Sequence, residues 1–174
     1  MPRPPLDIPP HEGRETQIGL LLAMLEGTTR EWRNELGRMG QDAVVWQLAE
    51  NSHSIGALIL HMADVEGYWL HEVAAESPMP ESDQKLFLSE ETQQYKGFWP
   101  KPPRKPLSWY YEQQDRIRAR TLELLACMND PAKPCRYRTR EFTLRWLIHH
   151  VITHEAYHGG QAVLLASLHG KLKS

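Results

Sequence analysis

Cysteine is scarce in this chain, and so is any long apolar run. It has 2 cysteines, Cys127 and Cys135, too few for a disulfide framework, so a reducing, cytoplasmic setting is expected. The longest apolar run, Ile55 to Leu60, falls well short of the roughly 20 residues that span a bilayer, and no membrane partner is expected. A basic excess is also missing. The chain sets 20 Lys and Arg against 22 Asp and Glu, a formal net charge of −2, which argues against nucleic acid as a partner. Residues 1–10 hold 5 prolines and no apolar core of a secretory leader, so none is expected. Period-two alternation is rare, which leaves few convincing strands.

Histidine is what the chain has in excess. Nine occur in 174 residues, clustered at 53, 61, 71 and at 149, 150, 154, 158. His154-Glu155-Ala156-Tyr157-His158 spells H-E-x-x-H, which on a helix places two imidazoles one turn apart on the same face. That spacing suits one divalent transition metal. A third ligand and an open position remain to be found.

The chain reads as one domain with an appended arm. Residues 1–13 carry too much proline for helix or strand and form an N-terminal arm; residues 14–174 form a single domain. A first helix is predicted from about Arg14 to Leu36, with Ile18, Leu21, Leu22, Leu25, Trp32 and Leu36 in one stripe and Gly37 as its stop. A second is predicted over 53–76, capped by Asn51 and Ser52, with His61 in an inward stripe beside Leu58 and Val65. Residues 77–107 carry 6 prolines and break periodicity, with room for a short helical turn over Glu90 to Tyr95. Such a segment is long enough to cross over, letting a third helix (Ser108 to Asn129) run parallel to the second. That third helix buries Tyr110, Ile117 and Leu125 and turns Arg116, Arg118, Arg120 and Glu123 outward. Pro134 to Phe142 reads as extended or irregular. A fourth helix, Thr143 to Leu168 with Gly170 as its stop, puts His154 and His158 in a seam with Leu144, Leu147, Val151, Gln161 and Leu165.

Amphipathic helices with few strands give an all-α fold, a four-helix bundle. Bundles build metal sites in the core from facing helices. A lone His61 would read most simply as a hydrogen-bonded core residue. Three inward histidines on two helices would each need a partner in an apolar core, and as co-ligands they supply that need together. His150 falls on the flank of the seam, His149 outside, and His53 and His71 away from the His61 direction. Three neutral imidazoles keep a coordination position open for water or substrate. They suit zinc or nickel, with iron or manganese as further candidates. A zinc-peptidase reading would make Glu155 the general base, but Gln161 and Leu164 stand where the longer peptidase motif needs glycine and histidine.

Asn51-Ser52-x-Ser54-Ile55-Gly56-x-Leu58 leading to His61, then Asp64-Val65-Glu66-x-x-Trp69 and His154-x-x-x-His158-x-Gly160-Gln161, resembles the DinB-like (DinB/YfiT) metalloenzyme family. The resemblance runs from the first helix to about Leu168. It implies up-down-down-up topology with a long crossover between helices 2 and 3, a homodimer, and a divalent metal on His61, His154 and His158. It also implies a thiol-dependent S-transferase or isomerase acting on a small-molecule substrate with a low-molecular-weight thiol such as bacillithiol or mycothiol. Family members usually carry Arg where this chain has Gly159. The alternatives are a metal-dependent hydrolase in which Glu155 or Glu66 handles the proton, and a non-catalytic metal- or small-molecule-binding bundle.

Overall fold

A computed structural model of the chain describes residues 7–173, so residues 1–6 of the arm and Ser174 lie outside the described residues. Helix α1 spans Thr16–Leu36, started by Glu15, whose carboxylate accepts from the Ile18 amide, and ended by Gly37 at φ 65. A one-turn helix α2 follows at Gln41–Val44. Helix α3, Ile55–Glu66, continues as a π-helix over Gly67–Ala74. Short α4 (Glu81–Leu86) and a 3-10 turn at Gln94–Lys96 occupy the next segment. Helix α5 spans Leu107–Leu124, strands β1 (Pro134–Tyr137) and β2 (Arg140–Thr143) form an antiparallel hairpin, and α6 runs Leu144–Lys173. The protein is predominantly helical with one two-stranded sheet, as expected of an all-α fold. No helix among the described residues is long and apolar enough to cross a membrane.

Side-chain contacts fix how the long helices pair. Trp46 meets His169, His61 meets His158, and Trp69 meets His150, so α3 and its π continuation descend along α6. Glu66 bonds Arg118 and His71 bonds Thr121, so α3 ascends along α5. Thr29 bonds Glu155, and Trp32 lies against Gly159, which sets α1 ascending along α6.

Several local expectations need correcting. Ser54, not Asn51 or Ser52, caps α3, accepting from the Ala57 amide. Asn51 sits at φ 58 and Ser52 bonds back to the Ala49 amide, so both are used in a turn. The second helix does not stay α to residue 76, because from Gly67 the backbone widens into the π form. The helix expected over Glu90–Tyr95 is a 3-10 turn at Gln94–Lys96, and α4 precedes it. Pro134 to Phe142 is a paired hairpin, with register Cys135↔Phe142 and Arg136↔Glu141. Gly170 lies inside α6 and does not end it. Arg118, expected outward, is buried because two buried carboxylates face it.

The core has two apolar clusters. One gathers Trp32, Leu58, Met62, Ile117 and Ala162; the other Leu25, Leu70, Leu125, Leu147 and Val151. Between them in sequence on every long helix stand buried polar groups: Thr29 on α1, Glu66 on α3, Arg118 and Thr121 on α5, Glu155 and the two motif histidines on α6. A polar belt thus crosses the molecule at one level.

Candidate metal centre

His61, His154 and His158 come together at the edge of this belt, His61 reaching it from among the apolar cluster residues Leu60 and Met62 of α3. Each is buried, and one ligand atom from each lies within 4.8 Å of the other two. Their ring centroids are 4.9 Å (His61–His154), 5.1 Å (His61–His158) and 4.5 Å (His154–His158) apart. Helix periodicity explains the last pair, since a four-residue step returns almost to the same face. The antiparallel descent of α3 along α6 delivers His61 to the same level.

The protonation state favours metal binding. Burial lowers the pKa of His61 to about 4, with the neighbouring His158 adding to the effect. Burial likewise lowers His158 to about 4 and His154 to about 2. All three imidazoles are neutral at pH 7 and have a lone pair to offer. His158 Nδ1 donates to Gln161 Oε1 at 2.7 Å, which fixes the tautomer and frees Nε2. The buried Nε2 atoms of His154 and His158 have no hydrogen-bond partner among the described residues. Unpaired buried nitrogens cost roughly 1–3 kcal/mol each, and a shared cation would remove that cost. The donor set is compatible with a divalent metal.

Glu155 points elsewhere. Its Oε1 accepts from Thr29 Oγ1 (2.6 Å), Trp32 Nε1 (2.9 Å) and Gln114 Nε2 (3.0 Å), and its Oε2 from Arg118 Nη2 (2.8 Å). Glu66 accepts from Arg118 Nε (2.8 Å) and Nη2 (2.9 Å) and from Thr121 Oγ1 (2.6 Å). Burial disfavours the Arg118 charge, but the two carboxylates outweigh it and raise its pKa. His71 is fully buried and meets Thr121 Oγ1 at 2.9 Å. His53 packs on Trp99, and His150 stacks on Trp146.

A cavity of about 440 Å³ opens on His61 and is walled by Asp64, Tyr68, Ser89, Gln94 and Tyr95. A larger one of about 660 Å³, beside the hairpin, contains none of the three histidines. The smaller cavity is the one that reaches an imidazole of the cluster. Burial raises the Asp64 carboxyl to about 6, partly offset by the Ser89 hydroxyl donating at 2.5 Å. Asp64 enters the sequence reading only as part of the family motif, with no role at the site, and Gln94 does not enter it. Asp64 stands three residues after His61, so helical spacing could have found it. Gln94 lies in an aperiodic segment that gives no such signal.

Gly159 has a clear role in packing. A Cβ there would fall 2.6 Å from Cγ of Trp32, so the indole occupies the space that an arginine would need. A comparison with curated proteins gave no match. The family model described as Mycothiol-S-transferase, a DinB-like family, matches residues 20–169, and the chain belongs to that family.

Proposed function

We propose that the protein is a divalent-metal-dependent S-transferase using a low-molecular-weight thiol, with His61, His154 and His158 as metal ligands. The observation that carries this reading is the pair of buried, unpartnered Nε2 atoms beside a third neutral imidazole. Family membership supplies the reaction class. A cation held there would act as a Lewis acid and lower the pKa of a thiol. Gln161 holds the His158 tautomer, and Trp99 packs edge-on against His61 and His158 to exclude water. The cavity on His61 admits the small-molecule substrate. In the transfer, the thiol sulfur bonds to the electrophile and displaces its leaving group, while the thiol proton departs through the cavity.

Glu155 and Glu66 take a positioning role in this reading. A hydrolase would need one of them to carry a proton, yet both carboxylates accept from Arg118. Zinc or nickel is the metal proposed, from the all-imidazole donor set. The wider proposal is a four-helix bundle in up-down-down-up order over residues 14–174, with 77–107 as the crossover and 1–13 as an appended arm. The pairing directions of α1, α3, α5 and α6 support that order. His11, in the described part of the arm, bonds Glu26 on α1 at 2.9 Å. A homodimer and a cytoplasmic location follow from the family resemblance and the paucity of cysteine.

The test uses protein purified without a histidine tag. Elemental analysis should find one divalent metal per chain after adding back zinc or nickel, and His158→Ala should lose it while keeping its helical circular dichroism. N-Acetylcysteine added to the nickel-loaded protein should bind and perturb the nickel absorption bands. No stoichiometric metal in the wild type would end the metalloenzyme reading; metal without thiol binding would end the transferase reading.

A further inference from the structure

Gln94 approaches the histidine cluster from outside the helices. Its Oε1 accepts from Nε2 of His61 at 3.1 Å, the only side-chain hydrogen bond to that imidazole among the described residues. Two donors bound to one cation at about 2.1 Å sit roughly 3.0–3.4 Å apart, depending on whether the geometry is octahedral or tetrahedral. Once a cation replaces the proton on His61 Nε2, the Gln94 oxygen stands at the spacing of a neighbouring ligand. An amide oxygen is also an acceptable donor to a divalent ion, though a weaker one than imidazole or thiolate for zinc and nickel.

We propose that Gln94 is a displaceable fourth donor, an oxygen that occupies the coordination position the thiol later takes. This rests on the metal site proposed above. The local backbone is built for such a part. Gln93 and Phe98 exchange two backbone hydrogen bonds, at 3.0 and 3.2 Å, closing a tight turn around Gln94–Lys96. Gly97 adopts φ 71, a conformation that favours glycine. At the base, the Trp99 amide donates to the Asn51 carbonyl at 2.9 Å, and its buried indole packs on His61. The tip is free by contrast: Tyr95 is 96% exposed and Gln94 half-buried, so withdrawing the amide uncovers little apolar surface. A turn anchored on one side and open on the other can hold the oxygen in place and release it without unfolding the core. A fixed fourth ligand would seal the centre as a structural site; a weak one on a solvent-facing turn keeps it shut until a stronger donor arrives.

The experiment is cobalt substitution of the tag-free full-length protein, which reports the ligand set without requiring turnover. Gln94→Ala should change the visible cobalt bands and weaken cobalt affinity by about tenfold, with circular dichroism unchanged. N-Acetylcysteine should bind the loaded Gln94→Ala protein several-fold more tightly than wild type, since nothing has to be displaced. Gln94→Glu should reverse both trends, because an anionic oxygen holds the metal more firmly and yields it less readily. Wild-type cobalt bands and thiol affinity in Gln94→Ala would overturn the proposal and leave the three-histidine reading standing. Cobalt binding by His61→Ala and His158→Ala that equals wild type would instead overturn the three-histidine reading, and this inference with it.

Discussion

Arg118 and Glu155 show how the surroundings of a side chain outrank its sequence motif. Arg118 bridges Glu66 and Glu155 and also donates to Thr29 Oγ1 at 3.1 Å, all in a buried setting. Removing the guanidinium strands two carboxylates. Arg118→Met is therefore expected to destabilise by about 3–5 kcal/mol, read from urea unfolding. Glu155→Gln keeps the shape and most hydrogen bonds, so its cost should be smaller, roughly 1–3 kcal/mol, with metal content unchanged. A catalytic base would behave in the opposite way. Loss of turnover in Glu155→Gln at wild-type stability would restore the proton-carrying role that H-E-x-x-H first invited.

Contact between α1 and α6 depends on one missing side chain. Trp32 fills the space over Gly159 while its indole nitrogen donates to Glu155, so the glycine and the tryptophan act as a unit. Gly159→Arg should cost about 2 kcal/mol or more by overpacking. In a Trp32→Ala background the same change should cost less, and a double-mutant cycle on thermal or urea unfolding measures the difference. Equal costs in both backgrounds would mean the indole is not what excludes the arginine. Elements with a period were legible in the sequence: Ile18 to Leu36, Ile55 to Val65 and Leu144 to Leu165 follow the helical repeat, and that repeat exposed His61, His154 and His158 as misfits among apolar neighbours. The parts without a period were not. The widening at Gly67 changes the hydrogen-bond step without changing composition, and the β1–β2 hairpin is too short to show alternation. Helical patterning turns Arg118 outward because a lone arginine on an amphipathic helix usually faces solvent; only the partners on α3 and α6 reverse that, and no single-helix pattern contains them. Gln94 is beyond reach for the same reason.

The molecule as a whole should be acid-sensitive when metal-free. Burial lowers His61, His158 and His71 to about 4 and His154 to about 2. The unfolded chain takes up these protons below about pH 6.5, while the folded chain resists them. The stability they contribute is full above pH 6.5 and is lost as pH falls through 4. Asp64, raised to about 6, works the other way between roughly pH 4 and 6, where its protonation favours the folded state. Four histidines against one aspartate decide the sign. Urea midpoints of the metal-free protein should fall steadily from pH 7 to pH 5, and a midpoint that rises over that range would contradict the balance. Loading with metal should raise the midpoint at pH 7 and steepen the decline, because protons then compete with the cation for the same lone pairs.

The division of labour between helices and the turn around Gln94 has a consequence for descent. The three imidazoles belong to α3 and α6, whose other residues hold the core together, whereas Ser89, Gln94 and Tyr95 lie between the core residues Phe87 and Trp99 and belong to neither apolar cluster. On the proposed reading of the cavity, rewriting the residues between Phe87 and Trp99 would re-address the protein to another small molecule while both core anchors stay in place. On that reading one bundle could serve different small molecules, distinguished by the loop alone.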